Sequence, residues 1–192
     1  MGMKELKTPL DERSIEGLKV GDTVYLTGYI YIMRDATLRR IFEEKVKPPE
    51  DLTGQVILFG APSFIKEGER YSILSVGVTT SQRMEKYIPS LLSLGVRGLI
   101  GKGELSEIVT PEFRSRKALY FLFVGGAAAL VTSAIERVER VWWEDLYGEA
   151  LFKVKVNSLG PAFVAIDTLG NDLFLNTKRQ VSDNLKNLLQ EI

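Results

Sequence analysis

Val24, Leu26, Ile30 and Ile32 alternate with Tyr25, Thr27, Tyr29 and Tyr31, the period of two expected of a strand with one face in a core. Arg34-Asp35 follows at once, and a helical stretch runs to about Glu44 before Pro48-Pro49 stops it. A strand delivered straight into a helix asks for a sheet with helices packed against it. The pattern recurs along the chain. Residues 55–59 predict a second strand, ended by Gly60-Ala61-Pro62, and residues 71–76 a third that runs into Gly77-Val78-Thr79-Thr80-Ser81. Met84, Tyr87, Ile88, Leu91 and Leu92 then fall at i, i+3, i+4, i+7 and i+8, the stripe of an amphipathic helix closed by Gly95. Leu99-Ile100 predicts a short buried strand entering Gly101-Lys102-Gly103. Residues 118–124 predict another, entering an alanine-rich helix opened by Gly125-Gly126. Residues 140–143, 152–156 and 163–167 read as further strands. Leu185, Leu188, Leu189 and Ile192 share one face of a C-terminal helix at about 182–192, and residues 1–17 form a polar opening segment. This order predicts an α/β (mixed α+β) fold, one domain over 1–192 with no internal boundary.

Composition narrows the chemistry. Lysine plus arginine number 25 and aspartate plus glutamate also 25, a balance that argues against binding duplex DNA, which needs basic excess. The 192 residues include no cysteine and no histidine. Disulfides, thiol nucleophiles, histidine-based triads and the usual zinc ligands are therefore outside its repertoire, and no metal site is expected. Any catalysis must use hydroxyls, carboxylates, lysine or arginine, or groups borrowed from a partner. The longest apolar stretch, residues 118–131, is split by glycines and shorter than the roughly 20 residues a membrane-spanning helix needs. With a charged amino-terminal segment, the chain reads as soluble and cytoplasmic.

Three strand-to-helix junctions hold the candidate chemistry: Arg34-Asp35, residues 77–83 and residues 101–103. In open α/β sheets such junctions gather at strand ends, so the three are expected to converge. With Thr79 as helix cap, Gln82 would occupy the capping-box position, and Arg83 would share the positive helix end, a combination suited to a carboxylate. Local pattern alone fits a plain cap with Arg83 in solvent better. Lys102 between two glycines is either a point charge beside a close-approaching ligand or an exposed turn residue. Arg34 with Asp35 is either a ligand-facing arginine with an orienting aspartate or an ordinary helix start. Trp142-Trp143 reads as core or interface, one ring to each face.

Taken in order, these segments form a larger set. It comprises Val20-Gly21-Asp22 with Leu26-Thr27-Gly28, Arg34-Asp35-Ala36, Gly54-Gln55-Val56-Ile57, Gly77-Val78-Thr79-Thr80-Ser81-Gln82-Arg83-Met84 and Gly98-Leu99-Ile100-Gly101-Lys102-Gly103. Gly125-Gly126-Ala127-Ala128-Ala129, Glu144-Asp145-Leu146 and residues 167–172 complete it. The set resembles the beta subunit, or C-terminal domain, of class I fumarases and L-tartrate dehydratases, over roughly residues 18–174.

The resemblance implies a swivelling β/β/α domain and one subunit of a heteromeric hydro-lyase, inactive alone. Its reaction would reversibly add or remove water on a C4 dicarboxylate, fumarate or malate, with L-tartrate as the alternative substrate. A four-iron four-sulfur (4Fe-4S) cluster would be held by a cysteine-containing alpha subunit, and this chain would bind no cofactor itself. By the same resemblance Thr79 is the catalytic base, Arg83 its companion and a carboxylate contact, and Arg34 and Lys102 further substrate-binding residues. The family usually reads R-D-x-A-H where this chain has Arg34-Asp35-Ala36-Thr37-Leu38, and G-P-T-T where it has Gly77-Val78-Thr79-Thr80. The missing histidine keeps open a rival role as a non-catalytic relative that binds a partner or small acid.

Overall fold

In the computed structural model, which describes residues 3–190, the first long strand pairs on both sides. β1 (Met3–Lys7) leads through a short helix, α1 (Glu12–Ile15), into β2 (Thr23–Met33), and β1 and β2 lie parallel. The polar opening segment is thus part of the fold: Leu6, Leu10 and Ile15 are buried among charged neighbours that face water. Helix α2 (Asp35–Phe42) follows β2, and β3 (Val56–Glu67) returns parallel to it.

The expected stop at Gly60-Ala61-Pro62 does not occur. β3 leaves β2 and β5 after Phe59 and continues as an antiparallel hairpin with β4 (Arg70–Val78). Proline is tolerated there because β3 has by then lost its neighbours in the main sheet and keeps only β4. Gly60 permits the departure, since a Cβ would stand 2.8 Å from the Gly77 carbonyl oxygen and 2.6 Å from Leu58 Cδ2.

A 3₁₀ segment (Ser81–Tyr87) and α3 (Ile88–Ser93) precede β5 (Gly98–Gly101). Then come α4 (Thr110–Arg116), β6 (Leu119–Leu122), α5 (Ala128–Ser133) and β7 (Ile135–Trp142). β5 and β6 extend the parallel sheet. After a second 3₁₀ segment (Glu144–Glu149), β8 (Leu151–Ile166) replaces the two strands expected at 152–156 and 163–167. It runs antiparallel to β7, β2 and β6, and its joint pairing with β2 and β6 closes β2, β3, β5, β6 and β8 into a ring. Asn157 and Ser158 oppose Thr27 alone, so the turn-like residues there are carried as a bulge, with the Ser158 N–H donating to Thr27 Oγ1 at 3.0 Å.

The alternation read from β2 divides the core in two. Val24, Leu26, Ile30 and Ile32 join Val56, Leu58, Phe121 and Phe152 in one cluster. Tyr31, Ile57, Phe59, Leu99 and Tyr120 point the other way, where Met84, Tyr87, Ile88, Leu91 and Leu92 cover them. The mixed α/β expectation therefore holds. Phe64, Tyr71 and Phe152 meet with ring centroids 5.4–6.3 Å apart and seat the hairpin on the ring. Phe152→Ala is expected to cost about 3–5 kcal/mol, seen as a lower urea midpoint with little change in slope.

Trp142 and Trp143 pack against the same cluster instead of opposite faces, because Trp143 leaves the strand with φ 58°. The last helix, α6 (Leu173–Gln190), starts nine residues earlier than expected, capped by Asp172, whose Oδ1 accepts the Phe174 N–H at 2.8 Å. Leu185, Leu188 and Leu189 on it are exposed, and Ile192 lies outside the described residues. No helix among the described residues is long and apolar enough to cross a membrane.

Candidate functional site

Arg34 is the residue after β2 and Lys102 the residue after β5, both at carboxyl ends of parallel strands. β4 runs antiparallel and brings Thr79 back to the place where β3 left the sheet, the Thr79 N–H donating to the Phe59 carbonyl at 2.8 Å. Three distant pieces of sequence thereby end on one edge, at the carboxyl ends of parallel strands, where open and closed α/β sheets alike hold ligands.

Two tethers tie the pieces together. The first is Ser81, wholly buried. Its N–H donates to the Lys102 carbonyl at 3.0 Å, and its Oγ accepts the Lys102 N–H at 3.2 Å. The Tyr120 phenol spans Ser81 Oγ at 2.9 Å and the Gly103 carbonyl at 2.8 Å. Burial pushes that phenol's pKa far up, so it stays protonated and able to donate. Gly101 is required by this close approach, because a Cβ there would stand 1.7 Å from Ser81 Oγ.

The second tether is Asp35. Its Oδ2 lies 3.2 Å from Arg83 Nη2 and 3.0 Å from Arg34 Nη2, so one carboxylate holds two guanidinium groups. Arg34 is largely buried, with 18% of its side chain exposed, while Arg83 is 56% exposed and open to an incoming group. Of the two roles open to Asp35, orienting the arginine is the one these contacts fit. Asp35 is the first residue of α2, and Arg34 takes the N-cap position.

The expected capping box does not form. Thr80, not Thr79, precedes the helical turn, without a side-chain cap bond, and the turn is 3₁₀ over Ser81–Tyr87. The Ser81 N–H is already taken by the Lys102 carbonyl, so that amide is not free for a ligand. Leu38, at the position of the family's histidine, is fully buried in the outer core and does not face the site. Ser81, Tyr120 and Glu149 were missed as supporting residues. Ser81 lies inside the residues 77–84 segment, where its short polar side chain has the look of a helix cap. Glu149, which accepts the Ala36 N–H at 2.8 Å, lies 113 positions away and carries no local signal.

Arg34, Arg83 and Lys102 bring three cationic side chains, groups able to bind an anion, to the same edge as Thr79. Arginine forks suit carboxylates in particular. A groove of about 960 Å³ between β4 and β7 contains none of these four residues. With the Arg83 side chain 56% exposed, the site is open to water at this edge. With no cysteine or histidine in the chain, a thiolate-held iron–sulfur cluster finds no ligands here, and no group of three acidic side chains could replace them among the described residues.

A family model described as Fumarase C-terminus matches residues 3–177. The chain belongs to the fumarase C-terminus family. The beta subunit of L(+)-tartrate dehydratase from Escherichia coli (strain K12) is 35% identical over 191 residues, covering 98% of this chain and 95% of that one. A putative L(+)-tartrate dehydratase beta subunit from Methanocaldococcus jannaschii is 32% identical over 186 residues, 94% of this chain and 95% of that one. A putative class I fumarate hydratase from Geobacillus stearothermophilus is 31% identical over 193 residues, 97% of this chain but 36% of that longer protein. In this fumarase C-terminus chain the tethered edge lies within the matched span, from Arg34 through Lys102 to Glu149.

Proposed function

We propose that this fumarase C-terminus chain is the beta subunit of a heteromeric hydro-lyase that reversibly adds water to, or removes it from, a C4 dicarboxylate such as fumarate or malate. The observation that carries this reading is the gathering of Arg34, Arg83 and Lys102 beside Thr79 on one open edge, with both arginines held by Asp35. A dicarboxylate presents two anionic groups, and three cations from separate strand ends can grip both while fixing the carbon between them. In this arrangement Thr79 takes the proton from the carbon next to the departing hydroxyl. A threonine hydroxyl is a poor base in water, so Arg83 acts as its companion, favouring the charged form once solvent is excluded.

Exclusion of solvent needs a second surface, since the edge is open. The reading assigns that surface to a cysteine-containing alpha subunit, which also holds the 4Fe-4S cluster for which this chain has no ligands. The assembly is read as cytoplasmic. Subunit-beta names among the relatives, and the longer Geobacillus relative, support a domain that works against a larger companion.

The test is reconstitution. The chain is to be produced anaerobically with and without a candidate alpha subunit, and fumarate hydration and L-tartrate dehydration followed. Activity in the mixture alone supports the shared site, and the faster reaction names the substrate. A stable, cluster-loaded complex inactive on both acids removes this reading and leaves the non-catalytic relative.

A further inference from the structure

We propose that Glu149 is a positioning residue for Arg34, holding its guanidinium in the direction that meets a substrate carboxylate. This rests on the reading of Arg34 as a carboxylate contact.

Glu149 belongs to none of the three strand ends. It closes the 3₁₀ segment before β8 and reaches α2 from there. Its Oε2 accepts the Ala36 N–H at 2.8 Å, its Oε1 lies 3.5 Å from Arg34 Nε, and its carbonyl accepts the Thr37 hydroxyl at 2.5 Å. Arg34 is the N-cap of α2 but makes no side-chain cap bond, so Glu149 supplies an acceptor that the helix start lacks. One carboxylate therefore ties the backbone of the site helix and the head of its arginine together. Asp35 approaches the Nε and Nη2 atoms at 3.0 Å. Both carboxylates thus come from the Nε side of the guanidinium and leave the Nη1 edge for a ligand.

The segment carrying Glu149 is itself fastened to its surroundings. Asp145 accepts two bonds from Arg40 of α2, at 2.9 and 2.6 Å, and Glu144 pairs with Lys66 of the β3–β4 hairpin. Residues 144–149 act as a strap across α2, and Glu149 is its end nearest the site. A carboxylate needed only as a helix cap would have no reason to face Arg34 as well.

Glu149→Gln separates the two roles, because it keeps the volume and an acceptor oxygen for the Ala36 N–H while removing the charge beside Arg34. In the reconstituted two-subunit enzyme the expected result is a thermal midpoint within about 2 °C of wild type. KM for the dicarboxylate is expected to rise about tenfold, with kcat much less affected. Glu149→Ala should show the same KM and lose stability in addition. Arg34→Ala, measured in parallel, should raise KM, and adding Glu149→Gln to it should have no further effect. A wild-type KM for Glu149→Gln beside a raised KM for Arg34→Ala makes Glu149 a helix cap only and overturns the proposal. An unchanged KM for Arg34→Ala removes the assignment of Arg34 itself, and the role of Glu149 falls with it.

Discussion

Thr79→Ala in the reconstituted enzyme is expected to lower kcat by about 10²–10⁴-fold, the usual contribution of a positioned base, with KM little changed. The fold offers no other reason for a large loss. Thr79 is only half-buried, and its structural bond, the N–H to the Phe59 carbonyl, is a backbone bond that alanine keeps. The complex and its cluster content should therefore be unaltered. Thr79→Ser retains the hydroxyl and should recover most of the rate. Steady-state kinetics on both acids, with subunit stoichiometry measured beside them, decides the matter. A near-wild-type kcat for Thr79→Ala would place the base elsewhere.

Gly101→Ala is expected to act on structure and rate at once. The added methyl would stand 1.7 Å from Ser81 Oγ, 3.0 Å from Ser81 Cβ and 3.1 Å from the Tyr120 hydroxyl, and both of these buried residues have little room to give. Overpacking of this kind costs about 1–3 kcal/mol. It also parts the residues 79–81 loop from the residues 101–103 loop, and a shift near 1 Å between catalytic and binding groups is worth about 100-fold in rate. Adding Ser81→Gly makes room for the methyl, so the double variant should regain stability. It should stay slow, since the bond from the Lys102 N–H to Ser81 Oγ is gone. Thermal unfolding and kcat/KM on the single and double variants test this. Recovery of both together would mean that Ser81 only fills space.

The apolar stripe from Met84 to Leu92 was legible because its spacing is local, and all five of its residues are buried, although Met84 and Tyr87 lie on a 3₁₀ turn and only Ile88–Ser93 is α-helix. The β2 alternation was legible for the same reason. Convergence of Arg34, Thr79, Arg83 and Lys102 could be anticipated from strand-to-helix junctions, but the atoms that achieve it could not. Ser81, Asp35 and Glu149 work through contacts between distant segments, and short polar side chains read locally as caps or turns. Similarly, Gly60-Ala61-Pro62 and the residues 157–161 stretch carry every mark of chain breaks. In the fold they are a strand leaving its sheet and a bulge inside a 16-residue strand.

That strand also governs when the molecule can become itself. On the ribosome, β2, β3, β5 and β6 emerge first and form only an open sheet, because β8 alone joins its two ends. Until residues 151–166 are free, β2 and β6 each present an unpaired edge and the inner apolar face stays in contact with water. Ser158 must then find Thr27 across 131 positions of chain. Contacts so distant in sequence make closure slow, and the waiting sheet is the species most exposed to aggregation. Aggregation on overproduction is therefore expected to begin at that stage, before residues 151–166 have closed the ring.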